Sequence, residues 1–167
     1  MASIQLREIE LQSPNPAPFN SNFQFQLTVD VLDILDEDME MKCVWVRPSD
    51  GFVDDLILEE LIIGPLSSGT TIFVAHVSAP PWQLISEGEI LGDTLLMLSL
   101  HYHNAEFVSI GYWVHVTYIN HDDNIIIPET FSIDRICRVL RVPPIVRTAF
   151  INWENHLDEH EEHENFM

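Results

Sequence analysis

Three histidines pose the first chemical question. His101 and His103 are alternate residues of one apolar run, and His115 lies in the next. Alternate residues of a strand share a face, so these imidazoles, with a carboxylate such as Glu106, could hold a transition metal. A metal-binding protein built on His101, His103 and His115 is therefore one reading. His156, His160 and His163 could catch a metal if their stretch were helical, although its many carboxylates suit incidental binding better. A second set has different chemistry. Leu95, Met97 and Trp113 form an apolar group that Asp50, Asp55 and Glu89 can border. Such a patch suits an amphipathic basic helix laid across a sheet, with the methionine adapting to its ridges. No nucleophile elbow, phosphate loop, dinucleotide-binding glycine run or zincin motif occurs, so no catalytic residue, cofactor or enzymatic activity is assigned.

Both sets depend on the stretch from Glu106 to Ile119. Val108, Ile110, Tyr112, Val114, Val116 and Tyr118 alternate with Phe107, Ser109, Gly111, Trp113, His115 and Thr117, the period-two pattern of a long strand. Its second face has a glycine, a small serine and a large tryptophan instead of solubilising charges, as expected where another chain lies close. Asp93 to His103 reads as its hairpin partner, turned at Asn104-Ala105. Earlier strands are expected at Ile4 to Leu11, Phe23 to Val31, Cys43 to Val46 and Thr71 to Val77. Asp54 to Ile63 has ambiguous spacing and is read as a strand because Gly64-Pro65 ends it abruptly. The spacing of Phe131 to Leu140 predicts a short helix, with Val146 to Ile151 as the last strand. The pattern describes an all-β, immunoglobulin-like antiparallel β-sandwich with one short helix. One domain is expected over 1–155, followed by an acidic, histidine-containing, disordered tail at 156–167.

Composition narrows the partners. In 167 residues, 27 acidic against 7 basic side chains leave a net charge of -20, which repels nucleic acid and attracts basic proteins. The two cysteines, Cys43 and Cys137, show no paired spacing, so neither a disulfide framework nor a zinc knuckle is indicated. No window approaches a membrane span, and a soluble intracellular monomer is expected.

Several motifs in order carry a family resemblance over residues 1 to about 155. They are Asn15-Pro16-Ala17-Pro18-Phe19 with Phe23-Gln24-Phe25, the acidic Glu37-Asp38-Met39-Glu40, and Leu61-Ile62-Ile63-Gly64-Pro65. Phe73-Val74, Ala79-Pro80, Glu106-Phe107, Gly111-Tyr112-Trp113-Val114 and Phe150-Ile151-Asn152-Trp153-Glu154 follow in their expected places. Together these resemble the anti-silencing function family of histone H3–H4 chaperones. The resemblance implies a nuclear, non-enzymatic chaperone that binds the H3–H4 dimer and hands it over during nucleosome assembly and disassembly. By that resemblance Val46, Asp50, Asp55, Glu89, Leu95, Met97, Tyr112 and Trp113 fall where the family contacts histone H3. Leu140, Pro144 and Val146 fall where a histone H4 strand adds to the sheet. Glu37, Asp38, Leu61, Ile62 and Ile63 match a groove that receives a basic peptide from larger assembly chaperones. Four positions depart from the family pattern: Ser109 and Ile145 replace arginines, Trp113 a tyrosine and Asp93 a valine. A paralogue that keeps the peptide groove but holds histones weakly is the alternative these departures raise.

Overall fold

Alternation of Phe23, Phe25, Leu27, Val29 and Val31 with polar residues drives the smaller of two sheets in the computed structural model, which describes residues 2–47, 55–119 and 131–153. That sheet runs β1 (Ile4–Leu11), β3 (Phe23–Val31), β6 (Gly69–Val77), antiparallel throughout. The larger sheet contains β2 (Ala17–Pro18), β9 (Ile136–Leu140), β8 (Ala105–Tyr118), β7 (Gly92–Tyr102), β4 (Met39–Val46) and β5 (Leu56–Ile63), in that order. A seventh strand, β10 (Ile145–Thr148), pairs with the first half of β8, on the flank whose second half pairs with β9. The architecture is the expected all-β sandwich. Its α-helical turn, α1 (Glu87–Ile90), lies in the connection into β7.

The core forms where the two inner faces meet. Phe25 packs on Tyr112 at 5.4 Å between ring centroids, and Phe19 meets Trp45 edge to face at 5.6 Å. Leu96, Leu98, Leu100, Val108, Ile110 and Val114 fill the same layer. Burial pushes the thiol of Cys43 and the phenol of Tyr112 well above their ordinary pKa values. No described helix is long and apolar enough to cross a membrane.

Three expectations change. Phe131 to Leu140 is not a helix: a single 3-10 turn, Ile133–Arg135, leads into β9. Alternate residues Ile136, Arg138 and Leu140 all point inward, and pairing with β8 outweighs the local helical spacing. The hairpin turns at His103-Asn104, one residue early, because Tyr102 pairs with Ala105. Both turn residues are left-handed (φ 50° and 62°), the conformation of a two-residue hairpin loop. The last strand ends at Thr148, before Ile151. The tail at 156–167 lies outside the described residues.

Arg138 is the least expected core residue, at 1% exposure. Its Nη1 donates to the carbonyls of Phe19 (2.8 Å) and Ser21, and Nη2 to that of Asn22 (3.3 Å). The guanidinium lies 3.6 Å from the centre of the Phe23 ring. With no carboxylate among these contacts, the charge is held by carbonyl dipoles and the ring face.

Candidate protein-interaction site

Antiparallel register aligns side chains across the outer face of the larger sheet in rows. One row runs Val46, Leu95, Trp113. The next runs Ile57, Val44, Met97, Gly111, Ile145, and the third Glu60, Lys42, Ser99, Ser109, Arg147. The face thus passes from apolar to polar along the strands. Leu95, Met97, Ser109, Gly111, Trp113, Ile145 and Arg147 line a cavity of about 190 Å³. Trp113 is 49% exposed, and the floor is low because position 111 is glycine: a Cβ there would stand 3.3 Å from Met97 Sδ. Phe107 also points to this side but is buried, covered edge to face by Trp153 at 4.9 Å, which stacks in turn on Tyr102.

The structure brings together Val46, Leu95, Met97 and Trp113, with two of the expected rim carboxylates nearby. Asp55 Oδ1 accepts the Arg47 backbone N–H at 3.0 Å, and Glu89 pairs with the Arg47 guanidinium at 3.2 Å. Arg47 therefore already neutralises part of the acidic rim. Its Nε is buried without a hydrogen-bond partner among the described residues. Asp50 lies outside the described residues. Tyr112 requires correction: its ring is in the core against Phe25, at 1% exposure, because its period-two position is opposite that of Trp113.

At the edge, Val146 and Pro144 lie in and just before β10, whose only strand partner among the described residues is β8. All four β10 residues are exposed, leaving backbone groups on the outer side available to an added strand. Leu140 differs. Its side chain is buried, and its N–H and carbonyl are both taken by the Asn15 carboxamide, at 2.9 and 2.8 Å. Neither side chain nor main chain is free to meet a partner.

On the far side, β5 is the other edge of the same sheet. Leu61 and Ile62 join Glu40, Lys42, Glu60 and His101 around a cavity of about 400 Å³. Ile63 pairs with Met39, at the end where the acidic loop enters β4. That loop is anchored. The Tyr102 hydroxyl accepts the N–H groups of Asp36 (3.1 Å) and Glu37 (3.4 Å) and donates to Asp36 Oδ1 (2.7 Å), which also meets His103 Nε2 at 2.8 Å. The Tyr102 and His103 hydrogen bonds hold the Asp36 carboxyl below its usual pKa. Asp38 rests against Gly64, where any Cβ would displace it.

The metal reading does not survive the register. His101 lies opposite Glu106 near the turn and His115 opposite Asp93, eight residues further along β7, or about 27 Å at the rise of a strand. Each imidazole has its own neighbour: Ser99 Oγ (2.8 Å) for His101, Asp36 for His103 and Asp93 Oδ1 (2.6 Å) for His115. No metal-binding group of three or more His, Cys, Asp or Glu occurs among the described residues.

Sequence reasoning missed the arginines. Arg47 and Arg147 attain meaning only through register, and Arg138 was concealed by the helical spacing around it. The alternation of Ile145 with Arg147 was the one local signal that these side chains share a face.

A family model described as ASF1-like histone chaperone matches residues 1–154. Histone chaperone ASF1 of Yarrowia lipolytica is 33% identical over 163 residues, 97% of this chain and 61% of that protein. Human histone chaperone ASF1B is 31% identical over 161 residues, 95% of this chain and 78% of that protein. The bovine ASF1B is 31% identical over 168 residues, covering 99% and 82%. With a match along almost the whole sandwich, and not at isolated motifs alone, the chain belongs to the ASF1-like histone chaperone family.

Proposed function

We propose that this histone chaperone binds the H3–H4 dimer through the Trp113 face and the β10 edge and passes it on during nucleosome assembly and disassembly. The observation that carries the reading is the apolar cavity between Leu95, Met97 and Trp113, continuous with an edge strand open to pairing. An amphipathic H3 helix would seat its apolar ridge over the two apolar rows, gaining about 25 cal/mol per Å² of buried apolar surface before association costs. An H4 strand would extend the sheet beside β10, exchanging water for main-chain partners. The mechanism is stoichiometric binding without a chemical step, by a monomer acting in the nucleus. The net charge of -20 steers basic histones toward it and repels nucleic acid. The binding unit is residues 1–155.

The β5 edge with Glu37, Asp38, Leu61, Ile62 and Ile63 suits a basic peptide from a larger assembly chaperone. The anchored acidic loop favours that second contact: Tyr102 holds its main chain at the strand end through the Asp36 and Glu37 N–H groups, and the Glu37 carboxylate lies 3.8 Å from His103 Nε2. Titration of labelled H3–H4 at near-physiological salt tests the main reading. Wild type binds and Leu95→Arg does not; equal binding by both would remove the Trp113 face from the account. Reversing Glu37 and Asp38 to lysine should abolish basic-peptide binding and weaken histone binding only by the few-fold that the lost net charge accounts for, and the opposite pattern would exchange the two sites.

A further inference from the structure

The chain has only seven basic side chains, and two of them flank Trp113. Arg147 lines the cavity on one side, beside Leu95, Met97 and Ile145. Arg141 lines a second hollow on the other side with Asp93 and His115, and its backbone N–H bonds the Trp113 carbonyl at 2.8 Å. The two differ in their surroundings. Arg141 shares its hollow with the Asp93 carboxylate. Arg147 is exposed, has Ser109 and Ser99 as its row neighbours, and makes no ion pair among the described residues. The nearest acid in its row is Glu60, four strands away and about 19 Å distant at ordinary strand spacing, with Lys42 between them. In a chain of net charge -20, a guanidinium with no carboxylate partner among the described residues, at the lip of an apolar cavity, is set for an acid brought by the partner.

We propose that Arg147 is a specificity-determining residue of the histone face, receiving a carboxylate carried by the partner helix about one turn from the apolar residue in the cavity. The inference rests on the H3–H4 reading and adds a requirement to it: the basic partner must present an acid at this point. The small Ser109 side chain leaves the guanidinium room to lie over the sheet, and its planar fork can meet both carboxylate oxygens. A lysine in the same place offers a point charge alone.

The sign of the effect separates this role from general electrostatics. Removing a cation from an acidic protein strengthens attraction for a basic partner, so Arg147→Ala should tighten H3–H4 binding if the arginine acts only through net charge. The proposal requires the reverse. Titration of labelled H3–H4 should show Arg147→Ala weaker by about ten- to a hundredfold, Arg147→Lys recovering part of the loss, and Ser109→Arg added to Arg147→Ala restoring binding from the adjacent strand. Replacing the acidic residues of the H3 helix by amides should weaken the wild type and leave Arg147→Ala unchanged. Unaltered or tighter binding by Arg147→Ala, while Leu95→Arg still abolishes it, overturns the Arg147 role and leaves the chaperone reading intact. Absence of wild-type binding overturns both. Because the Arg147 side chain is exposed, thermal unfolding of the variants should match wild type, and loss of binding through misfolding would show there as a lowered midpoint.

Discussion

Replacing Arg138 by methionine keeps the side-chain volume and removes every donor, so it tests whether the buried cation holds the β2–β3 connection to β9. Three carbonyls lose their partner, but Asn22 is exposed and can turn to water. The Phe19 and Ser21 bonds, at about 1.5–3 kcal/mol each for a charged donor, and the Phe23 contact, at about 1–2 kcal/mol, give a gross loss near 4–8 kcal/mol. Against this, burial lowers the guanidinium pKa to about 10, well below its ordinary value. Holding the charge there costs about 3 kcal/mol, which the substitution returns. The net destabilisation is about 3 kcal/mol, or a fall of roughly 6–12 °C in Tm for a domain of this size. Calorimetry or far-ultraviolet melting measures it. Since the depressed pKa still lies near 10, the arginine is charged in both states at lower pH, and the difference between proteins should be equal at pH 6 and pH 9. Stability linked to this group rises with pH only above about 10, where the unfolded chain binds the extra proton. A Tm change under about 2 °C would refute the assignment of Arg138 as the fastener of this connection, and a stabilised variant would reverse it.

Two further outcomes follow from charges around the proposed sites. Arg47→Ala frees Glu89 and relieves a buried unpaired Nε, so H3–H4 binding should tighten by a few-fold and fall more steeply with salt; weaker binding would mean that Arg47 supports the rim instead of occupying it. Asp36→Asn removes a carboxylate whose pKa is held below 3.8 by Tyr102 and His103. Its stabilisation is complete above that pH and disappears as pH falls through the lowered value, so urea midpoints of wild type and variant should differ at pH 7 and draw together as pH falls below 3.8; a constant gap would exclude the linkage.

Most of the sandwich was legible because its strands alternate cleanly. Phe23 to Val31 and Glu106 to Ile119 place their inner faces by period alone, whereas Asp54 to Ile63 has ambiguous spacing and its reading as a strand, observed as Leu56–Ile63, leaned on the Gly64-Pro65 stop and on its strand neighbours. Phe131 to Leu140 was misread because helical spacing is a local property, whereas β9 is fixed by pairing with β8 across a long sequence separation. The apolar set Leu95, Met97 and Trp113 could be anticipated from strand parity and a hairpin. Its relation to Arg147 could not, since that depends on which residue of β10 faces Ser109, and no short-range rule sets that register. Tyr112 shows the limit of motif transfer: adjacent residues of a strand face opposite ways, so only Trp113 of the pair can meet a partner.

The most direct test of the central claim is the mass of the complex formed with H3–H4, measured by analytical ultracentrifugation at near-physiological salt. One copy of this protein with one H3 and one H4 is expected, and no such species with Leu95→Arg. A complex that retains two copies of each histone, or a 1:1:1 complex that Leu95→Arg leaves untouched, would contradict it.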